Sequence, residues 1–151
     1  MTRRDHGSFW MMNHLANPVL GLLLRGPFGG YLGKHLALVK YMGQRSGTRH
    51  QLIVQYAREG TVVWIVPGQP DRKTWWRNFA ATSPIDLRLA GREFRGRATA
   101  FKGSDHPEEV GRGLATYLQE LPRAAKSLGM DRASEPDGPV SGVVVVRVDL
   151  L

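Results

Sequence analysis

From Leu36 to Leu150 the apolar residues of this chain fall mostly into short runs separated by glycine, as β-strands and their turns do. Runs at 36–42, 51–57 and 61–66 are rich in β-branched and aromatic side chains, and a glycine-containing turn follows each. Further on, Ile85, Leu87 and Leu89 alternate with Asp86 and Arg88 on a two-residue period. After Ala90 and Gly91, the 94–101 run sets Phe94, Gly96, Ala98 and Ala100 against Arg95 and Arg97. These two runs predict a hairpin with one wet, basic face. A last run at 143–150 brings the count to about six strands.

Helical spacing shows in three places. The 9–24 stretch is apolar, with Met11, Leu15 and Val19 on one face and a kink expected at Pro18. It predicts an N-terminal helix over 8–25, preceded by a disordered start at 1–7. A second helix is expected over 71–82, with Asp71 as its N-cap and Trp75, Trp76 and Phe79 as its bulky residues. A third opens at Asp105-His106-Pro107-Glu108, where Asp and Glu three apart resemble a capping box, and runs through Val110, Leu114, Tyr117, Leu118 and Leu121 to Pro122. The 132–139 segment reads as a loop. Strands with helices inserted in no βαβ order predict an α+β, mainly β fold, a closed or split antiparallel barrel.

Composition narrows the options. At 151 residues the chain is the size of one domain and can bury about 68–70% of its unfolded surface. Apolar residues at 42% and charged residues at 23% argue against long disorder. The chain has no cysteine, which excludes disulfides, thiol redox chemistry and cysteine-ligated metal centres. No run of 18 uncharged apolar residues exists, so no transmembrane helix is expected. Arg3 and Arg4 precede the 9–24 run as in a signal peptide, but no A-x-A cleavage pattern follows, so the segment reads as mature structure of a cytoplasmic protein. The segment has two readings: a helix covering the barrel, or a peripheral contact with the inner face of the cell membrane.

Lys and Arg number 21 against 13 Asp and Glu, a formal charge of +8, and 16 of the cations are arginines. Guanidinium grips phosphate and carboxylate bidentately, so the partner is a nucleic acid, an anionic membrane or a polyanionic small ligand. Two stretches could carry that chemistry. In the first, Gly43 and Gly47 let the backbone turn and present N–H groups, while Gln44, Arg45, Ser46, Arg49 and His50 surround the turn and Lys40 stands within reach. A solvated hairpin loop is the plainer alternative. In the second, Pro67 and Gly68 turn the chain into the expected helix, whose N-terminal amides would favour an anion. Trp75 and Trp76 would point about 100° apart, one into the core and one along a cleft. Arg77 and Asn78 either cap a ligand or form the wet face.

The order G-x-R-S-G at Gly43–Gly47, two strands, a Gly/Pro turn and W-W-R-N at Trp75–Asn78 resembles the deazaflavin-dependent nitroreductases, also called coenzyme F420-dependent quinone reductases. That family shows G-[RQ]-[KR]-[ST]-G followed about 25–30 residues on by W-x-x-N-[LF]. The likeness covers roughly 36–101 and echoes in 143–150. It implies an FMN-binding-like split barrel holding a deazaflavin, with FMN as the runner-up cofactor. The loop would hold the phosphate and tail through Arg45, Ser46 and Gly47. Trp75 and Asn78 would lie beside the cofactor, near the strand carrying Val54, Gln55 and Tyr56. The implied reaction is hydride transfer to a quinone, nitro compound or activated alkene.

The chain departs from that family where a substrate-orienting hydroxyl is expected: Gln55 holds the position, and Tyr56 should face the other side of the strand. Tyr117 is the remaining hydroxyl to consider. His6, His14, His35, His50 and His106 show no metal-ligand spacing. His50 stands out only because its charge would tune anion binding at the loop. Glu108 and Glu109 suit the first turn of a helix. A non-catalytic deazaflavin carrier is one alternative; a nucleic-acid-binding barrel using Arg88, Arg95 and Arg97 is another, disfavoured because Phe94 and Phe101 do not share the arginines' face. Split barrels of this kind often pair, so a homodimer is expected by analogy.

Overall fold

A computed structural model describes residues 35–127 and 138–151. The expected helix at 8–25, the 1–7 start and most of the 132–139 loop lie outside those residues. Seven strands form: β1 (Leu36–Met42), β2 (Arg49–Gln55), β3 (Ala57–Glu59), β4 (Val62–Ile65), β5 (Ser83–Leu89), β6 (Arg92–Lys102) and β7 (Val144–Leu150). One long helix, α1 (Pro107–Glu120), precedes two single turns, α2 (Ala124–Ser127) and α3 (Gly138–Ser141). The fold is mainly β, and the β1–β5, β3–β4, β4–β7 and β6–β7 pairs are all antiparallel. No helix among the described residues is long and apolar enough to cross a membrane.

The chain divides into two compact units, Met1–Val54 with Asp86–Phe94, and Gln55–Ile85 with Arg95–Leu151. In the first, β1 lies between β2 and β5, with Ala37 opposite Leu89 and Lys40 opposite Asp86. Ala37, Leu38, Val39, Tyr41, Leu52, Leu87 and Leu89 form its apolar interior. The expected hairpin turn is present: Ala90 and Gly91 both take positive φ, at +49° and +80°, the conformation that matches a two-residue turn to strand twist.

In the second unit the strand order is β6-β7-β4-β3. The helix α1 lays Val110, Leu114 and Tyr117 against Trp64, Val66, Ala57 and Val145. Gly113 sits at the closest approach, where an added Cβ would collide with the Trp64 ring. Around that core, Arg147 of β7 stands over Trp64 at 5.8 Å and donates to Glu109 of α1 at 2.8 Å. Asp149 also accepts from Arg147, at 3.1 Å. The Glu109 hydrogen bond, and then Asp149, hold the Arg147 proton more tightly than usual.

Three expectations are corrected. The 51–57 run is two strands, because Tyr56 and Ala57 are both buried and consecutive inward residues break a two-residue alternation. No α-helix spans 71–82; a five-residue 3-10 helix covers Trp75–Phe79, with Thr74 rather than Asp71 before it. Pro67 and Pro70 delay the helix, and the bulky Trp75, Trp76 and Phe79 then bury on so short a turn. Finally, α1 begins after His106 with no side-chain cap, so Asp105 and Glu108 form no capping box, although Pro107 and the acidic Glu108 and Glu109 do open the helix.

Candidate functional site

The arginine loop leaves β1 at Gly43. There the Gly43 N–H donates to the Thr48 carbonyl at 2.8 Å, and the Gly47 N–H donates to the Gly43 carbonyl at 2.9 Å. Gly47 takes φ +65°, where a side chain would be strained. Ser46 Oγ accepts from the Thr48 N–H at 3.1 Å, which orients its hydroxyl. A Cβ on Gly43 would stand 2.6 Å from Ser46 Oγ and 3.1 Å from His50 Nε2. Glycine there is what allows the serine hydroxyl and the imidazole to fold over the strand end.

The amides of Gly43, Gly47 and Thr48 are thus consumed inside the loop. Side-chain donors surround the loop. Gln44, Arg45, Ser46, Arg49 and His50 are all exposed, and the Ser46 hydroxyl can donate while accepting from Thr48. His50 lies against the buried Tyr41, with centroids 5.4 Å apart. Burial pushes the Tyr41 phenol up to about 12, so it is a neutral neighbour at ordinary pH. Lys40 is half-buried and stands opposite Asp86 of β5 in the strand register. Val54 is half-buried near the end of β2.

The second stretch belongs to the other unit. Gln55, the last residue of β2, is exposed, and Tyr56, between β2 and β3, is buried. Burial raises the Tyr56 phenol, opposed by Arg58 and reinforced by Glu120. After β4, Pro67 is buried and Gly68 half-buried, with open space where a Cβ would stand. Gln69 takes φ +50°, and its carbonyl accepts from the amides of Arg72 and Lys73 at 3.0 and 2.9 Å.

Both tryptophans are buried. Trp75 is 8% and Trp76 4% exposed. Trp76 Nε1 donates to the Pro70 carbonyl at 2.9 Å, which satisfies the one polar atom of the ring and permits its burial. Trp75 packs edge-on against Phe79 at 6.2 Å. The Asn78 amide donates to the Trp75 carbonyl at 2.8 Å, inside its own turn. Arg77, by contrast, is exposed and lies 5.5 Å from the Trp76 centroid. Lys102, at the end of β6 and unremarked in the sequence, lies 5.8 Å from the same centroid.

The remaining candidates disperse. Arg88 is neutralised by Glu93, with Nη2 and Nε donating to one carboxylate oxygen at 2.7 and 3.0 Å. Arg95 and Arg97 are exposed. Tyr117 is buried in the α1 core, with its phenol pushed up to about 12. His106 packs edge-on against Phe101 at 5.4 Å, and His35 is half-buried. Among the described residues no group of His, Asp and Glu could hold a metal ion.

No protein-family model and no curated protein matches this chain. Solved structures do, and they share its fold at low identity. One is an F420-H2 dependent reductase (FDR-A), with TM-score 0.56 and 16% identity over 76% of this chain and 94% of that one. Another, a domain-swapped dimer, gives 0.59 and 17% over 89% and 96%. A protein of unknown function from Agrobacterium tumefaciens gives 0.52 and 18%; the likeness covers 78% of this chain but only 51% of that longer one.

Proposed function

We propose that this protein is a coenzyme F420-dependent oxidoreductase of split-barrel type. It would take a hydride from reduced deazaflavin and deliver it to a quinone, nitro compound or activated alkene. The observation that carries this reading is the Gly43–Gly47 loop, whose exposed Arg45 and Arg49 flank an oriented Ser46 hydroxyl. That donor set fits the anionic phosphodiester and glutamate tail of a deazaflavin. The resemblance of the fold to an F420-H2 dependent reductase supports it.

The residues fit the cofactor unevenly. Arg45, Ser46 and Arg49 would hold the charged end, with His50 beside them. In the second unit the indoles of Trp75 and Trp76 are buried, and Trp76 would brace the Pro67–Pro70 turn through its bond to the Pro70 carbonyl. When bound, the reduced deazaflavin supplies the hydride. The buried phenols of Tyr41, Tyr56 and Tyr117 hold their protons more firmly than a free phenol does, which favours water as the proton source for the reduced acceptor. Likeness to a domain-swapped dimer supports a homodimer.

The test is an absorbance assay of reduced F420 oxidation with menadione and a panel of nitroaromatics, run beside FMN. Oxidation that depends on protein and acceptor is the expected result. Tight binding without turnover would make the protein a carrier, and turnover with FMN alone would change the cofactor. Salt-sensitive binding of single-stranded oligonucleotides with no deazaflavin affinity would overturn the reading.

A further inference from the structure

Gly43 is buried, and the exposed Ser46 and His50 stand over it. From the point where a Gly43 Cβ would stand, Ser46 Oγ lies at 2.6 Å, His50 Nε2 at 3.1 Å and His50 Cδ2 at 3.3 Å. Both side chains therefore occupy the side of the strand end to which a Gly43 side chain would project. The imidazole turns its Nε2–Cδ2 edge to the same point as the hydroxyl. The two polar atoms are no further apart than the sum of their distances from that point. Hydrogen bonds of about 2.7 and 2.8 Å to two oxygens of one phosphate or sulfate group bridge such a separation with length to spare.

Ser46 Oγ accepts from the Thr48 N–H, which leaves its own proton to donate. The His50 ring lies against Tyr41, tilted by 31°, and that contact engages the ring face while the nitrogens remain at the edge. A protonated imidazole donates from both nitrogens and carries a charge; a neutral one donates from one and carries none. The charged and titratable groups of the elements beside His50 are Lys40 and Tyr41 of β1, His35 just before it, Arg45 of the loop and Arg49 of β2. The described acids of this unit are Asp86, opposite Lys40 in register, and Glu93, which accepts from Arg88. Burial pushes the Tyr41 phenol up to about 12, so it stays neutral, and guanidinium is charged at any ordinary pH. Imidazole is the side chain that ordinarily changes charge between about pH 5 and pH 8.

We propose that the Ser46 hydroxyl and the His50 imidazole form a seat for one oxyanion, which grips when the imidazole is protonated and loosens when it is not. Naming that oxyanion as the phosphodiester of the coenzyme rests on the deazaflavin reading; the seat itself does not. Coenzyme affinity would then follow pH through a single side chain. The test uses the full chain labelled with nitrogen-15, in its parent form and as His50→Gln and His50→Lys. Oxidised F420 and sulfate are titrated separately at about pH 5 and about pH 7.5, a range over which sulfate keeps its charge. Binding is read from the amide signals of residues 43–50, with sodium chloride holding the ionic strength constant.

The expected result is that the rise in pH costs the parent about fivefold more affinity than it costs His50→Gln, the difference between a charged and a neutral hydrogen bond. His50→Lys, charged at both pH values, should match His50→Gln in its insensitivity to pH while binding more tightly. Titration of the coenzyme itself is common to all three proteins and cancels in the comparison, and a contribution from His35 would persist in both variants. Equal losses in the parent and His50→Gln overturn the seat, and coenzyme that still binds leaves the deazaflavin reading standing. Sulfate binding that follows His50 beside no coenzyme binding keeps the seat and removes that reading. No saturable binding of either ligand overturns both. Should His50→Gln lose its folded spectrum, His50→Lys decides alone: a loss equal to the parent's overturns the seat.

Discussion

Ala90 occupies the left-handed region at φ +49°, which costs a residue with a Cβ about 1–2 kcal/mol. It does so because the β5–β6 turn needs positive φ at both central positions, and only Gly91 meets that need without strain. Ala90→Asn would create the Asn-Gly pair such turns prefer. It should stabilise the protein by about 0.5–1 kcal/mol, read as a higher urea midpoint, and an unchanged or lower midpoint would contradict this account of the turn. Gln69 at φ +50° is held by a different means, two amides converging on its carbonyl. The conformation of neither residue could be read from composition. The burial of both tryptophans was hidden for a related reason. Adjacent residues diverge by about 120° on the short 3-10 helix at Trp75–Phe79, and each indole finds its own buried partner: the Pro70 carbonyl for Trp76 and the Phe79 ring for Trp75.

Among the secondary structures, α1 offers a test in which two effects have opposite signs. A glycine inside a helix costs about 1 kcal/mol relative to alanine, so Gly→Ala normally stabilises. Gly111 has open space at its Cβ position, whereas a Cβ on Gly113 would run into the Trp64 ring. Gly111→Ala should therefore raise stability by about 0.5–1 kcal/mol, and Gly113→Ala should lower it by about 1–3 kcal/mol through overpacking. Thermal melts of the two variants check this, and equal shifts would show that α1 does not seat on β4 at Gly113. The spacing of Val110, Leu114 and Tyr117 made α1 legible in the sequence. The strands were legible too, since β5 buries Ser83, Ile85, Leu87 and Leu89 in strict alternation. What was not legible needed tertiary partners: the break at Tyr56, the missing cap at His106, and the Arg147–Glu109 bond that ties α1 to β7.

The charge of the entire chain is +8, yet its arginines play different parts. Arg88 and Arg147 are spent on carboxylates, while Arg45 and Arg49 stand exposed on a loop. The motif located that loop, and its two glycines use their own N–H groups to close it. Each unit also buries a tyrosine, Tyr41 in one and Tyr117 in the other, and burial pushes both phenols up to about 12 from 10.0. Between those values the unfolded chain loses protons that the folded chain keeps, so stability falls as pH rises. Urea midpoints should be insensitive to these phenols below about pH 9 and should drop towards pH 12, less steeply in Tyr117→Phe than in the parent. Equal slopes would mean that Tyr117 is not held in the apolar core.

The oxidoreductase reading depends on a loop that grips the charged end of its coenzyme. Fluorescence titration of oxidised F420 into the protein and into Arg45→Ala measures that grip directly. Loss of a charged hydrogen bond removes about 1.5–3 kcal/mol, so the variant should bind about ten- to a hundredfold more weakly. Equal affinity in the two proteins, or no saturable binding to the parent, would contradict it.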